Sequence, residues 1–137
     1  MKARLFWILV FVGVILAVLG YRGCLRFRAG LDEAFTKDAV LCISMGVSNI
    51  YLENPAATSA DVEARLRLLH DASITHVVLD PAGKPVDLYG TPFQVRREVK
   101  GNQQTVTATS AGPDRRFGTG DDIIHATTDE LRPPRKS

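Results

Sequence analysis

The feature that most constrains the fold of this chain is an uncharged run of 17 residues near its start. The run covers residues 5–21 and reads LFWILVFVGVILAVLGY. As an α-helix it covers roughly 25 Å, slightly less than the ~30 Å hydrocarbon core of a bilayer. Trp7 and Tyr21 stand near its ends, where aromatic side chains often meet the membrane surface. Basic residues flank the run on both sides: Lys2, Arg4, Arg22, Arg26 and Arg28. The run therefore predicts one membrane-spanning helix.

A cleaved signal peptide is the alternative interpretation of this segment. Lys2 and Arg4 give it a basic start, and VLG at residues 18–20 loosely resembles the small-residue site at which signal peptides are cut. Because basic residues follow the run as well as precede it, their distribution alone does not decide which side of the membrane the rest of the chain occupies.

The remaining residues of this 137-residue chain suffice for one ordinary domain. Lys and Arg number 17 against 15 Asp and Glu, which leaves a formal charge of +2. Nucleic acid is a poor partner for so balanced a chain. If one helix runs through Cys24 and Cys42, their α-carbons lie about 27 Å apart, so we expect unpaired thiols with Cys42 facing the core.

Helical periodicity dominates the first half of this domain. Apolar residues recur three and four positions apart between residues 31 and 54, which predicts a long amphipathic helix that continues from the membrane segment. Pro55 should stop it, because the residue before a proline disfavours the helical region. Thr58 or Ser59 offers an N-cap for a short second helix, with Asp61 completing an imperfect capping box and an end near His70.

A period of two replaces the helical period in the second half. Strands are predicted at residues 74–79, 93–99 and around 106–108, and a last short strand around Ile123 and Ile124. Gly101-Asn102 joins two of them closely enough for an antiparallel hairpin. Helices first and a meander afterwards predict an α+β fold, with a transmembrane helix that continues into a long amphipathic helix packed on a small antiparallel sheet.

The most informative stretch is the segment SAGPDRRFGTGDDI at residues 110–123, with three glycines and three aspartates. Calcium takes six to eight oxygen ligands, and glycines let a backbone curl so that carbonyls and carboxylates converge. Asp114, Asp121 and Asp122 would bring three negative charges together unless a cation lies among them. The equally available interpretation is an aspartate–glycine turn whose side chains cap their own backbone.

The motif DLYGTPF at residues 87–93, followed by SAGPD at residues 110–114 and DDI at residues 121–123, resembles the major pseudopilin of type II secretion systems. In that family a similar segment precedes a strand, and a loop of this kind binds Ca²⁺. The resemblance implies Asp114 and Asp122 as side-chain ligands, Asp121 as a neighbouring candidate, and Ser110 where the loop approaches the ion. The expected cofactor is therefore Ca²⁺.

The N-terminal segment departs from the pattern of that family. Pseudopilins carry a Gly-Phe junction cut by a leader peptidase and then a glutamate inside the hydrophobic helix, which guides filament assembly. Residues 5–21 contain neither feature. The prediction is therefore a pseudopilin-like domain on a plain membrane anchor, lacking the usual leader-peptidase motif.

These expectations define a domain plan: an anchor over residues 1–28, a pseudopilin-like α+β domain over residues 29–128, and a disordered basic tail over residues 129–137. A weak calcium site suits the millimolar calcium outside the cytoplasm, so the domain is expected on the periplasmic side of a bacterial inner membrane. Its expected function is that of a structural subunit of a secretion or pilus-like system. Its expected partners are the membrane and envelope or secretion-system proteins, including copies of itself, with no nucleic acid and no small-molecule substrate.

Two other functions remain open at this point. One is a membrane-tethered or secreted calcium-binding module unrelated to secretion. The other is a hydrolase that uses the aspartates. His70, His76 and His125 match no zinc spacing, no nucleophile has a local signature, and no phosphate-binding glycine loop is present, so we expect no enzymatic activity.

Overall fold

A computed structural model describes residues 2–71 and 76–131 of the chain, with side chains from Val14 onwards. The chain forms two compact units, Met1–Asp32 and Glu33–Ser137. The first contains the start of helix α1 (Lys2–Glu53), whose described apolar side chains there are largely exposed. Within the described part of the chain, no helix meets the length and hydropathy that a membrane crossing needs. The span predicted over residues 5–21 lies partly outside the described side chains.

Helix α1 ends where the sequence predicts. Glu53 is its last residue, immediately before Asn54-Pro55. Helix α2 (Ser59–Asp71) begins after Thr58, whose hydroxyl accepts a hydrogen bond from Asp61 N–H while Asp61 Oδ2 accepts from Thr58 N–H at 2.7 Å. This reciprocal pair is the predicted capping box, and it satisfies backbone donors that the first helical turn leaves free.

Five strands follow in two antiparallel sheets. β1 (Val78–Leu79) pairs with β2 (Pro85–Val86) across a turn at residues 81–84. β3 (Gln94–Lys100), β4 (Gln103–Ser110) and β5 (Ile123–Glu130) form the larger sheet in that order. The predicted strand over residues 74–79 is described only from residue 76, and its paired part is two residues long. The expected α+β class, with a long helix and small antiparallel sheets, is confirmed.

Strand β5 is much longer than the sequence suggests. The sequence predicts a short strand around Ile123 and Ile124. In the structure, the pairing of β5 with β4 continues to Glu130, which lies opposite Gln103. Asp129 and Glu130 therefore belong to the sheet and not to the tail expected from residue 129 onwards. The basic residues of that tail, from residue 132, lie outside the described residues.

The hydrophobic core lies between α1, α2 and one face of the larger sheet. Four α1 residues at helical spacing are completely buried: Ala39, Val40, Ile43 and Val47. They pack in one cluster with Val106 and Ala108 of β4 and with residues of α2. Cys42 is half-buried beside this row, and burial raises the pKa of its thiol, with a further rise from the nearby carboxylate of Asp38.

Beside this core, α1 meets β4 and β5 through polar side chains. Ser44 Oγ lies 2.7 Å from His125 Nδ1 and 2.9 Å from Thr127 Oγ1. One turn further along, Ser48 donates to Asp129 and accepts from the buried amide of Gln104 at 3.0 Å. These bonds join residues far apart in sequence, so they fix the position of the helix along the strands.

Candidate functional site

The segment between β4 and β5, residues 111–122, contains the aspartates that the sequence marks, and we call it the aspartate loop. Three of its residues have left-handed backbone conformations: Gly112 at φ +64°, Arg115 at φ +60° and Gly118 at φ +87°. Such angles are easy for glycine and uncommon for other residues. The loop therefore curls tightly, and its backbone N–H groups turn inward onto its own carboxylates.

Asp121 is bonded on both carboxylate oxygens. Its Oδ2 accepts from Asp114 N–H at 3.0 Å, and its Oδ1 accepts from the Thr119 hydroxyl. These bonds hold the pKa of Asp121 below its ordinary value, the Thr119 hydroxyl having the larger effect and the Asp114 N–H the next. Asp121 is therefore kept ionised, and it ties the two ends of the loop together.

Asp122 has one satisfied and one unsatisfied oxygen. Its Oδ2 accepts from Gly118 N–H at 2.7 Å. Its Oδ1 is buried and has no hydrogen-bond partner among the residues that the structure describes. A buried carboxylate oxygen without a partner is costly, so this atom calls for a ligand such as a cation or a water molecule.

Asp114 and Ser110 have other arrangements. Asp114 is exposed, and its Oδ1 accepts from Arg116 N–H at 2.8 Å, as in an aspartate turn. Ser110 is completely buried. Its hydroxyl donates to Asp87 Oδ2 and accepts from Gly112 N–H at 3.2 Å, so the side chain supports the base of the loop.

The carboxylates do not meet at a single point. Across residues 2–71 and 76–131, no three His, Cys, Asp or Glu side chains form a group that could hold a metal ion. Asp121 and Asp122 nevertheless line the same groove, whereas Asp114 is bonded on the outside of the loop. Both interpretations of the sequence thus have a counterpart in the loop: self-capping at Asp114 and Asp121, and an unsatisfied oxygen at Asp122.

The groove has a volume of about 940 Å³ and lies between α1 and the aspartate loop within the second unit. Apolar side chains from both sides contribute to it, among them Ala34, Leu41 and Ile123. Four carboxylates and one ammonium group also line it: Glu33, Asp38, Asp121, Asp122 and Lys37. Lys37 is held by Glu33 at 2.7 Å, so the groove carries an excess of negative charge.

The motif at residues 87–93 supports the same end of the sheet. Asp87 is buried, and its Oδ1 accepts from Tyr89 N–H at 3.0 Å and Thr91 N–H at 2.8 Å. Its second oxygen accepts from Ser110, so the motif is tied directly to the start of the aspartate loop. Tyr89 and Phe93 are half-buried against the hydrophobic core, as expected for packing residues.

Sequence reasoning missed one contact that could suggest catalysis. Ser44 and His125 are 81 positions apart, and the structure brings their Oγ and Nδ1 atoms within 2.7 Å beside the groove. Ser44 is completely buried, and its hydroxyl also lies 2.9 Å from the Leu41 carbonyl oxygen. A nucleophile needs access to its substrate, so this pair acts in packing the helix on the sheet.

The other histidines also have structural contacts. His70 Nδ1 lies 2.8 Å from the Val77 carbonyl oxygen at the end of α2, and the exposed His76 stacks on Phe35 with ring centroids 4.0 Å apart.

The chain matches no protein-family model, no curated protein and no solved structure.

Proposed function

We propose that this chain is a membrane-anchored, pseudopilin-like structural subunit of a secretion or pilus-like assembly, with an aspartate loop that calcium stabilises. The observation that carries the proposal is the buried Oδ1 of Asp122, which has no partner among the described residues although the rest of the loop is fully organised around its carboxylates. A hard cation is the ligand that such an oxygen prefers, because it offsets the cost of burying negative charge.

Asp122 and Asp121 would hold the ion, together with carbonyl oxygens that the curled backbone offers. Asp114 would join them if its exposed side chain turned inward. Ser110 would act indirectly, because its hydroxyl is bonded to Asp87 and Gly112. Bound calcium would supply positive charge among the aspartates and so fix the loop between β4 and β5.

The order of elements supports a pilin-like subunit. A long helix is followed by a short second helix and an antiparallel meander, and α1 lies on one face of the three-stranded sheet. Strand β3 follows the motif at residues 87–93, as in the family that the motif resembles, and the aspartate loop joins β4 to β5.

Residues 5–21 are the proposed anchor, and the second unit is proposed to lie outside the cytoplasm of a bacterial cell. Extracytoplasmic calcium is plentiful enough for a weak site of the kind used by extracellular modules. One departure from an assembly subunit is that residues 5–21 contain neither an acidic residue nor a Gly-Phe junction. This departure favours the second candidate, a tethered calcium-binding module that binds some other partner.

Replacing residues 5–21 with an unrelated 17-residue polyleucine span separates these two candidates. The measurement is disulfide cross-linking of neighbouring copies through Cys24, which follows the replaced segment closely, in membranes that contain the full chain with Cys42→Ser. An assembly subunit packs laterally through specific side chains of its helix, so the replacement should abolish cross-linked multimers while the chain still inserts.

The control for that experiment is Leu16→Ile, which keeps the segment apolar and of the same length. It should leave the multimers unchanged. If the polyleucine chain forms the same multimers as the wild type, the assembly proposal is contradicted and the tethered module is favoured.

A further inference from the structure

The groove beside the aspartate loop has the charge of a binding site for a basic segment. Its lining combines apolar side chains with four carboxylates and one lysine, a net charge of −3 from these groups. Leu41 is 36% exposed and Met45, the next residue along that face of α1, is 51% exposed. These side chains leave apolar surface open beside the carboxylates.

The chain itself contains a segment of complementary chemistry. Residues 132–137 read RPPRKS, with three basic residues and two prolines. Prolines favour an extended backbone and lower the entropy that a segment loses when it binds. Basic residues on both sides of a proline pair suit a groove that is lined by apolar and acidic side chains together.

Within one molecule, Arg132 and Arg135 lie too far from Asp121 and Asp122 to pair with them. From Asp122 to Leu131 the strand rises about 3.3 Å per residue, which separates the two residues by roughly 30 Å. Arg132 and Arg135 follow Leu131 by one and four residues, so their α-carbons lie within about 14 Å of it even in an extended chain. These two charges can reach Asp121 and Asp122 only on another molecule.

We infer that the groove is the docking site for residues 132–137 of a second copy of this chain. Each copy then offers a basic segment at one end of β5 and an acidic groove at the other. A contact between two different surfaces repeats from copy to copy and builds a chain of subunits unless it closes into a ring. The inference goes beyond the proposed function, and it needs no bound cation.

Calcium distinguishes the two proposals. An ion on Asp121 and Asp122 would remove most of the excess negative charge of the groove, so calcium should weaken the docking of the basic segment. If the loop binds no calcium, docking should be independent of calcium and still depend on Arg132, Arg135 and Lys136.

Disulfide trapping tests the contact directly. In full-length chains with Cys24→Ser and Cys42→Ser, one chain carries Ser137→Cys and the other carries Ala34→Cys in the groove. Mixing them in detergent should give linked dimers about tenfold faster than mixing the first chain with Leu68→Cys, an exposed position on α2. Equal rates at Ala34 and Leu68 would overturn the inference.

Charge reversal provides the second test. Arg132→Glu, Arg135→Glu and Lys136→Glu together should slow trapping at Ala34→Cys roughly tenfold, as three weak ion pairs are lost. Adding Glu33→Lys and Asp38→Lys to the groove chain should restore the rate, whereas Glu98→Lys on the open face of the sheet should not. Docking in the groove is contradicted if the tail substitutions leave the trapping rate unchanged. It is also contradicted if Glu98→Lys restores the rate as well as Glu33→Lys and Asp38→Lys do.

Discussion

Gly112 and Asp121 approach each other across the aspartate loop so closely that any side chain on Gly112 would overlap the carbonyl oxygen of Asp121. Gly112 also has a left-handed backbone conformation, and its N–H donates a hydrogen bond to the Ser110 hydroxyl. The loop thus closes on a glycine for two independent reasons, the backbone angle and the space. Asp121 makes a second contact across the loop, because its Oδ2 accepts a hydrogen bond from Asp114 N–H.

Substituting Gly112 by alanine should destabilise the fold by about 2–4 kcal/mol, because the left-handed angle and the overlap with a backbone carbonyl both add cost. Gly118→Ala is the matched control. Gly118 has a similar positive φ, but nothing lies within 4 Å of its missing β-carbon, so only the conformational cost of about 1 kcal/mol applies. Urea unfolding of the two variants measures the difference, and equal losses would contradict the close approach.

Gln104 of β4 joins helix α1 to strand β3. It is completely buried, its amide donates to the Ser48 carbonyl and hydroxyl, and its Oε1 accepts from Arg97 Nε at 3.2 Å. Gln104→Ala should cost roughly 2–4 kcal/mol, because it leaves a cavity and removes the buried hydrogen bonds to Ser48 and from Arg97. Gln103→Ala, at the exposed neighbouring position, should change the unfolding free energy by less than about 0.5 kcal/mol.

The helices and the central strands could be predicted from the spacing of apolar residues and from local signals in the sequence. Ala39, Ile43 and Val47 repeat at helical spacing, and Val106 and Ala108 alternate along β4, so apolar burial dictates both elements. The proline after Asn54 and the capping box at Thr58 set the helix limits by local chemistry.

The length of β5 could not be predicted in this way. The side chains that β5 turns toward α1 after Ile123 are His125, Thr127 and Asp129, which read as a surface in any hydropathy pattern. Their partners, Ser44 and Ser48, lie about 80 residues away, and polar groups attract one another only once the fold has brought them together. For the same reason, the sequence does not reveal the role of Ser110, because its hydroxyl donates to Asp87, a residue outside the aspartate loop.

Acid should destabilise the aspartate loop through Asp121. Its pKa is lowered in the folded state from 3.8, so its stabilising effect is complete above the unfolded value and is lost as pH falls through the lower folded value. Thermal unfolding between about pH 6 and pH 2 should therefore show a steeper loss for the wild type than for Asp121→Asn. Thr119→Val, which removes the hydroxyl that lowers the pKa most, should also flatten the profile.

Calcium dependence of thermal unfolding tests the central claim most directly. For the full chain in detergent, calcium at 100 times its dissociation constant should stabilise the fold by about 2.7 kcal/mol relative to excess chelator, which raises the melting temperature by several degrees. Asp122→Asn keeps an acceptor for Gly118 N–H but loses the charge, so it should abolish the calcium-dependent rise.

Two controls define the result. Asp80→Asn alters an aspartate that caps a turn elsewhere, through Ala82 N–H and Lys84 N–H, and should leave the calcium-dependent rise intact. Ser110→Ala should lower the melting temperature directly through the lost bond to Asp87, both with calcium and with chelator. A rise that Asp122→Asn removes and Asp80→Asn retains is the predicted result; no rise at millimolar calcium would contradict the proposed calcium-stabilised loop.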